Sequence, residues 1–274
     1  MFNHYSTFGK NLFHLQISGG EPTLWPELGS FIEQIKSEHN VYVSLISNGS
    51  RTLRWWKEYG DSIDNAVLSF HVRQANIEHH IKVADTLFEF GKKVTVLVLM
   101  DPTCFVDSVD ALHFIKKNSK HNWFLEGKEI VSYLPYTSEQ KKFLKKSLHN
   151  RPDLIWFAKN IHLAFDGSLR WIQSLATDDK KVIPIFATSQ TYINKDITNF
   201  ENYQCDIGVE SIFISHDGDI RGACGQKLFG LDYYSNILSD DFVNQFTHLI
   251  QATMCEMTSC LCAPETHISK FILS

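Results

Sequence analysis

Polar and apolar residues alternate near the start of the chain: Leu15 and Ile17 are separated by Gln16 and preceded by His14, the period of a strand with one buried face. Residues 12–24 read Leu-Phe-His-Leu-Gln-Ile-Ser-Gly-Gly-Glu-Pro-Thr-Leu, and the Gly19-Gly20 pair ends the strand in a turn that no side chain obstructs. Pro26 and Glu27 suit a helix start, Pro by its fixed φ and Glu by its charge at the positive end of the dipole. Leu28, Phe31, Ile32 and Ile35 then fall at i, i+3, i+4 and i+7, a stripe that packs on a sheet.

The order strand, turn, helix repeats to about His149. Apolar runs at 41–47, 65–70 and 94–100, and a weaker one at 130–134, predict further strands. Helical patterns occupy 52–59, 77–90, 106–117 and 138–148, the second with Ile77, Ile81, Ala84 and Phe88 on one face and the last opened by a Thr137/Gln140 capping box. Such βα repetition predicts an α/β fold with a parallel sheet and helices outside it. Ligands of these sheets bind at the carboxyl ends of the strands, where Gly19, Gly20, Glu21, Ser47, Asn48, Gly49, Ser69, His71 and Asp101 collect. The glycine pair lets a ligand approach the main chain closely, and Glu21 offers a carboxylate to a cationic group such as an amine. Asp101, before Pro102, reads as a turn cap.

Residues 151–202 show no clear period and read as a connector with one or two short hairpins, one of them at Phe165-Asp-Gly167. Beyond it, Cys205 and Cys224 flank two apolar runs joined by His216-Asp-Gly-Asp219, a strong hairpin signal. A helix is predicted at about 239–252, followed by Cys255, Cys260 and Cys262. Thiolate-only ligands suit iron–sulfur clusters or zinc, and the lack of paired Cys-x-x-Cys knuckles moves the weight toward iron–sulfur. Cys104 stands alone and reads as a small buried hydrophobe.

Composition changes this picture little. The 274 residues, 43% hydrophobic and 21% charged, describe an ordinary folded chain of one or two domains. A net charge of −5 without a long basic run lacks the footprint of a nucleic-acid binder, and the longest apolar run is far short of the roughly 20 residues that cross a bilayer. The first ten residues carry no charged segment followed by an apolar core, so no secretion signal is expected and the thiols should stay reduced, with the cytoplasm as the natural compartment.

Gly19-Gly-Glu-Pro-Thr-Leu24 after an apolar strand, with Trp25-Pro-Glu-Leu28 behind it, closely resembles the segment of radical S-adenosylmethionine (SAM) enzymes that holds the methionine amino group, and Leu45-Ile-Ser-Asn-Gly49 resembles that family's next strand end. The order Cys, Asp-Gly hairpin, Cys, helix, Cys is similar to the twitch or SPASM domain that holds an auxiliary cluster behind the barrel in many of these enzymes. The resemblance implies a partial (β/α)6 TIM-like barrel lacking its first strand over 1–150, a connector over 151–200 and a small cysteine-rich α+β domain over 201–274. It implies S-adenosyl-L-methionine at Gly19, Gly20, Glu21, Pro22, Ser47, Asn48 and Ser69, with Ser47, Asn48 and Ser69 on the side holding carboxylate and ribose. One auxiliary 4Fe-4S cluster would take four of Cys205, Cys224, Cys255, Cys260 and Cys262.

The family also carries a Cys-x3-Cys-x2-Cys loop whose thiolates hold the catalytic 4Fe-4S cluster, and this sequence has no cysteine before Cys104. A strand beginning at Leu12 would have an unpaired edge, so an N-terminally truncated enzyme is expected, one that in full abstracts a hydrogen atom from a peptide or small-molecule substrate. The chain alone would not cleave SAM. The other reading is a non-catalytic iron–sulfur or zinc-binding scaffold that has lost the catalytic cluster. Oligomeric state is not legible.

Overall fold

The computed structural model describes residues 13–130, 134–147, 199–205, 212–221, 235–246, 253–255, 258 and 270–271. The chain divides into two compact units, Lys10–Asp153 and, with a few N-terminal residues, Leu154–Ser274.

The first unit is a parallel five-stranded sheet in the order β1 (Phe13–Ile17), β2 (Val41–Ser47), β3 (Asn65–Phe70), β4 (Lys93–Leu99) and β5 (Phe124–Lys128). The helices α1 (Leu28–Glu38), α2 (Leu53–Tyr59), α3 (Ile77–Glu89) and α4 (Phe105–Asn118) connect them in turn, and α5 (Ser138–Ser147) follows β5. Right-handed crossovers between strands in sequential order place these connecting helices on one face. Val43, Leu45, Ala66, Leu68, Phe70, Val94, Val96 and Val98 alternate along their strands onto that face, where Leu28, Ile32, Trp56, Ile81, Ala84, Leu87, Ala111 and Ile115 of the helices bury them. Each such aliphatic burial contributes about 1.5–3 kcal/mol. The helix α1 comes close enough to α2 that a Cβ on Gly29 would overlap the Tyr59 ring. At the amino end of the sheet Asp64 accepts from Lys36 Nζ and from Val43 N–H at 2.8 Å, joining α1, β2 and the start of β3.

Three expectations shift. A strand the pattern did not predict forms at Phe124–Lys128, where Glu126, Gly127 and Lys128 hide it from a hydrophobicity pattern but β4 recruits it in the register Thr95↔Phe124 to Leu99↔Lys128; of the expected run 130–134, residues 131–133 lie outside the described residues. Ile130 instead lies beyond the strand, its N–H donating to Tyr136 Oη at 3.0 Å. The core face of α3 passes through Leu87, which is fully buried, while Phe88 is 38% exposed and stacks on His121. The helix after the first turn begins at Leu28, preceded by a single 3₁₀ turn, Pro22–Leu24.

In the second unit β6 (Gln204–Cys205) lies between β10 (Thr253–Met254) and β11 (Lys270–Phe271) in one antiparallel sheet. The second sheet is β7 (Phe213–Ile214), β8 (Asp219–Arg221) and β9 (Ser235–Asn236), followed by α6 (Phe242–Phe246). The Asp-Gly hairpin forms where it is expected, Gly218 at φ +85° closing the turn, with its N–H donating to Ser215 O at 3.0 Å. Of the predicted helix at 239–252, residues 239–241 form a turn, 242–246 are helical and 247–252 lie outside the described residues, as does the connector except for 199–200. Among the described residues no helix is long and apolar enough to cross a membrane.

Candidate functional site

The corner after β1 is built on a backbone conformation only glycine takes easily: Gly19 has φ +101°, and a Cβ on Gly19 or Gly20 would meet nothing within 4 Å. Both residues are exposed, so the main chain at this strand tip is open to a ligand. Glu21 and Pro22 start the 3₁₀ turn, Pro at its first position. Glu21 Oε1 accepts from Thr23 N–H at 3.1 Å, from the Thr23 hydroxyl and from Ser47 Oγ at 2.8 Å. Its Oε2 accepts from Asn48 N–H at 2.6 Å. Three chain donors therefore meet Oε1 and one meets Oε2, so the group expected to receive an amine also ties β1 to β2.

The β2 end is fixed from within and from above. Ser47 Oγ accepts from Gly49 N–H at 3.0 Å, and Asn48 Oδ1 accepts from Ser50 N–H at 2.9 Å. Gly49 has φ +70° and lies under His80, whose Nδ1 would be 2.9 Å from a Cβ there. His79 Nε2 lies 3.1 Å from Gly49 O and 2.9 Å from Arg51 O; both partners are carbonyls, so this nitrogen carries the proton. Burial lowers the His80 pKa to about 4, so the ring over Gly49 is neutral at pH 7.

Sequence reasoning missed both histidines. Their signal was the N-cap, since Asn76 Oδ1 accepts from His79 N–H at 2.9 Å and so puts 79 and 80 in the first turn of a helix that starts beside the strand tips.

Ser47 and Ser69 do not share a surface. Ser47 pairs with Leu68 on the helix-covered face, whereas Ser69, one residue further, points to the opposite face with Ser44 and Asn65. That face mixes polar groups with Ile46, Val67 and Leu97: His14 Nε2 lies 2.9 Å from Ser44 Oγ, Asn65 Nδ2 donates to the same oxygen at 3.2 Å, and Thr95 and Glu126 are buried along it. Burial lowers the His14 pKa to about 4. His71 is exposed just past β3, its carbonyl accepting from Ala75 N–H at 2.9 Å.

Asp101 caps the 3₁₀ turn Pro102–Cys104, its Oδ1 accepting from Thr103 N–H at 2.8 Å and from Thr103 Oγ1 at 2.7 Å. The Thr103 hydroxyl and then its N–H hold this carboxyl below the usual carboxylate range.

Two of the five terminal thiols are described. Cys205 lies opposite Thr253, and Cys255 N–H donates to Tyr203 O at 2.7 Å, so Cys205 and Cys255 are diagonal neighbours on one face of adjacent antiparallel strands, both buried. Asn202 at φ +67° makes the bulge that admits this pairing, its N–H donating to Cys255 O at 2.8 Å. Cys224, Cys260 and Cys262 lie outside the described residues. Among the described residues no group of three or more His, Cys, Asp or Glu is placed to hold a metal ion. Cys104 is buried at the start of α4.

No protein-family model and no curated protein matches the chain. Among solved structures it is similar to native anSMEcpe with bound AdoMet and Cp18Cys peptide, at 18% identity and a TM-score of 0.46 over 89% of this chain and 71% of that one. It is similar also to native anSMEcpe with bound AdoMet and Kp18Cys peptide, at 17% identity and 0.43 over the same shares. For native anSMEcpe with bound AdoMet the values are 17% and 0.46, over 89% and 69%.

Proposed function

We propose that this chain is the SAM-binding part of a radical SAM enzyme with an auxiliary iron–sulfur domain. The observation that carries the reading is the open Gly19-Gly20 corner at the carboxyl end of a parallel sheet, bonded through Glu21 to the Ser47–Asn48 turn of the next strand.

The residues present suit the cofactor in chemistry and in space. Gly19 and Gly20 leave main-chain groups and room for an amino-acid moiety, and Asn48 and Ser69 supply polar side chains at neighbouring strand tips. Bound at an iron–sulfur centre, SAM supplies one-electron chemistry that takes a hydrogen atom from a substrate C–H bond. The chain's own residues hold the cofactor's polar end and fix its orientation. Cys205 and Cys255, buried on one sheet face, suit two corners of a thiolate-ligated 4Fe-4S cluster in a reducing, cytoplasmic setting, completed from Cys224, Cys260 and Cys262. The substrate is a peptide or a small molecule.

The test has two measurements on the 274-residue chain. Isothermal titration with SAM should show saturable binding that Gly20→Val weakens; no binding overturns the reading. Anaerobic reconstitution should give about four irons and four sulfides per chain without 5′-deoxyadenosine production from SAM, as one thiolate-bound 4Fe-4S cluster requires. Zinc without sulfide would instead favour a binding scaffold.

A further inference from the structure

The β2 tip carries the pair Asn48-Gly49, in which a side-chain amide stands next to a backbone nitrogen that no Cβ shields. Attack of that nitrogen on Asn48 Cγ forms an N–C bond, breaks Cγ–Nδ2 and closes a five-membered succinimide, the displaced amide leaving as ammonia with the Gly49 proton. Water then opens the ring at either carbonyl, to aspartate or to isoaspartate. No oxidant or reductant enters.

Two features of the turn favour ring closure. Asn48 Oδ1 accepts from Ser50 N–H at 2.9 Å, which folds the side chain back along the Gly49 peptide and sets a donor where charge gathers on Oδ1 as the nitrogen attacks. Glycine is also fixed at 49: its φ is +70°, and a Cβ there would lie 2.9 Å from His80 Nδ1.

The same turn holds the nucleophile back. Gly49 N–H donates to Ser47 Oγ at 3.0 Å in a buried setting, and the attacking nitrogen must give up that bond and its proton before it can reach Cγ. Ser47 is aligned for this, since its own proton goes to Glu21 Oε1 at 2.8 Å and its lone pairs are left to face Gly49. His79 fixes the other side of the glycine, Nε2 lying 3.1 Å from Gly49 O. Gly49 is thus gripped at both of its backbone polar groups.

We propose that Asn48-Gly49 is a latent deamidation site kept closed by the Ser47 hydroxyl, so that the modification follows local opening of the β2 tip. The inference needs only the turn and is independent of what binds beside it. Conversion also weakens its own guard: a carboxylate at position 48 stands near Glu21, whose Oε2 holds the Asn48 N–H at 2.6 Å, and like charges that close repel.

The test is ageing of the full chain in mildly alkaline buffer, with aspartate and isoaspartate at position 48 read by peptide mass mapping. In the folded wild type the reaction should run at least about tenfold slower than in the same chain unfolded in urea, because it waits on local opening. Ser47→Ala should speed it about fivefold in the folded state, the factor one ordinary hydrogen bond supplies, without touching the exposed Asn118 before Ser119 in the same unit. Ser47→Cys, of similar volume but a weaker acceptor, should speed it about twofold and replaces the alanine variant if that one does not fold.

Equal rates in the folded and unfolded wild type, no modification at Asn48 in urea, an unchanged rate in the folded Ser47 variants, or an equal acceleration at Asn118 would each overturn the assignment.

Discussion

The turns after β1 and β4 share an acid-Pro-Thr sequence and a hydrogen-bond pattern, yet one is a local cap and the other a tie between strands. Asp101 is satisfied within its own turn, and the neighbouring loop reaches that turn from outside, through Arg73 Nη2 donating to Thr103 O at 3.3 Å. Glu21 satisfies its turn and then extends to Ser47 and Asn48. The difference lies in one methylene and in what precedes it: Glu21 follows an exposed glycine pair, Asp101 the fully buried Met100. A recurrent local motif becomes a site when its side chain reaches a second strand and its backbone is left uncovered.

The comparison is broken most strongly by Glu21→Ala. It leaves the Ser47 hydroxyl, the Asn48 N–H and both Thr23 donors without their acceptor, at an expected cost of about 3 kcal/mol in the local opening free energy by amide exchange. Asp101→Ala should lose less than half as much at β4, and equal losses would erase the distinction between cap and tie.

Acid separates the two turns next. His80, which faces His79 and His71 as well as Gly49, has a folded pKa of about 4, below its unfolded 6.5. Folding therefore excludes a proton from it, which costs nothing above pH 6.5 and destabilises the fold as pH drops from 6.5 toward 4, by about 1.4 kcal/mol per pH unit. His14 titrates over the same window. Denaturation midpoints should fall across it, and His80→Asn should roughly halve the slope. The Asp101 cap, with its pKa lowered, keeps its contribution above the ordinary carboxylate range and loses it progressively as the pH falls through and below that range.

Glu21→Asp sharpens the contrast further, since it should keep the Thr23 bonds and lose the two reaching β2, costing about 1.5 kcal/mol by the same amide exchange. Asp101→Glu should leave β4 exchange unchanged. The smallest and most symmetrical effect is expected from Thr23→Val and Thr103→Val, each removing one hydroxyl donor. The two should fall within a factor of two of each other in local exchange, because at this position the turns are alike.

The strands 41–47 and 65–70, the helix stripes and the Asp-Gly hairpin were legible in the chain because periodicity and turn chemistry act over a few residues. The strand Phe124–Lys128 was not, since a sequence such as Phe-Leu-Glu-Gly-Lys becomes a strand only by pairing with β4. The site divides in the same way. Its open glycines and its serines could be read as residue types at strand ends, as the cysteines of the second unit could be around a hairpin. The tie from Glu21 to the second strand, the separation of Ser47 from Ser69 and the clamp of His79 and His80 over Gly49 could not.

Residues 26 to 31 apart in the chain meet in those contacts. Which of them meet depends on strand register and helix phase, quantities that only the assembled sheet fixes. The sequence by itself determined which residues stand at the tips of the strands. The tertiary structure decided which of them are spent on holding the tips together and which are left to face a ligand, because a hydrogen bond already made within the chain is one a ligand must displace.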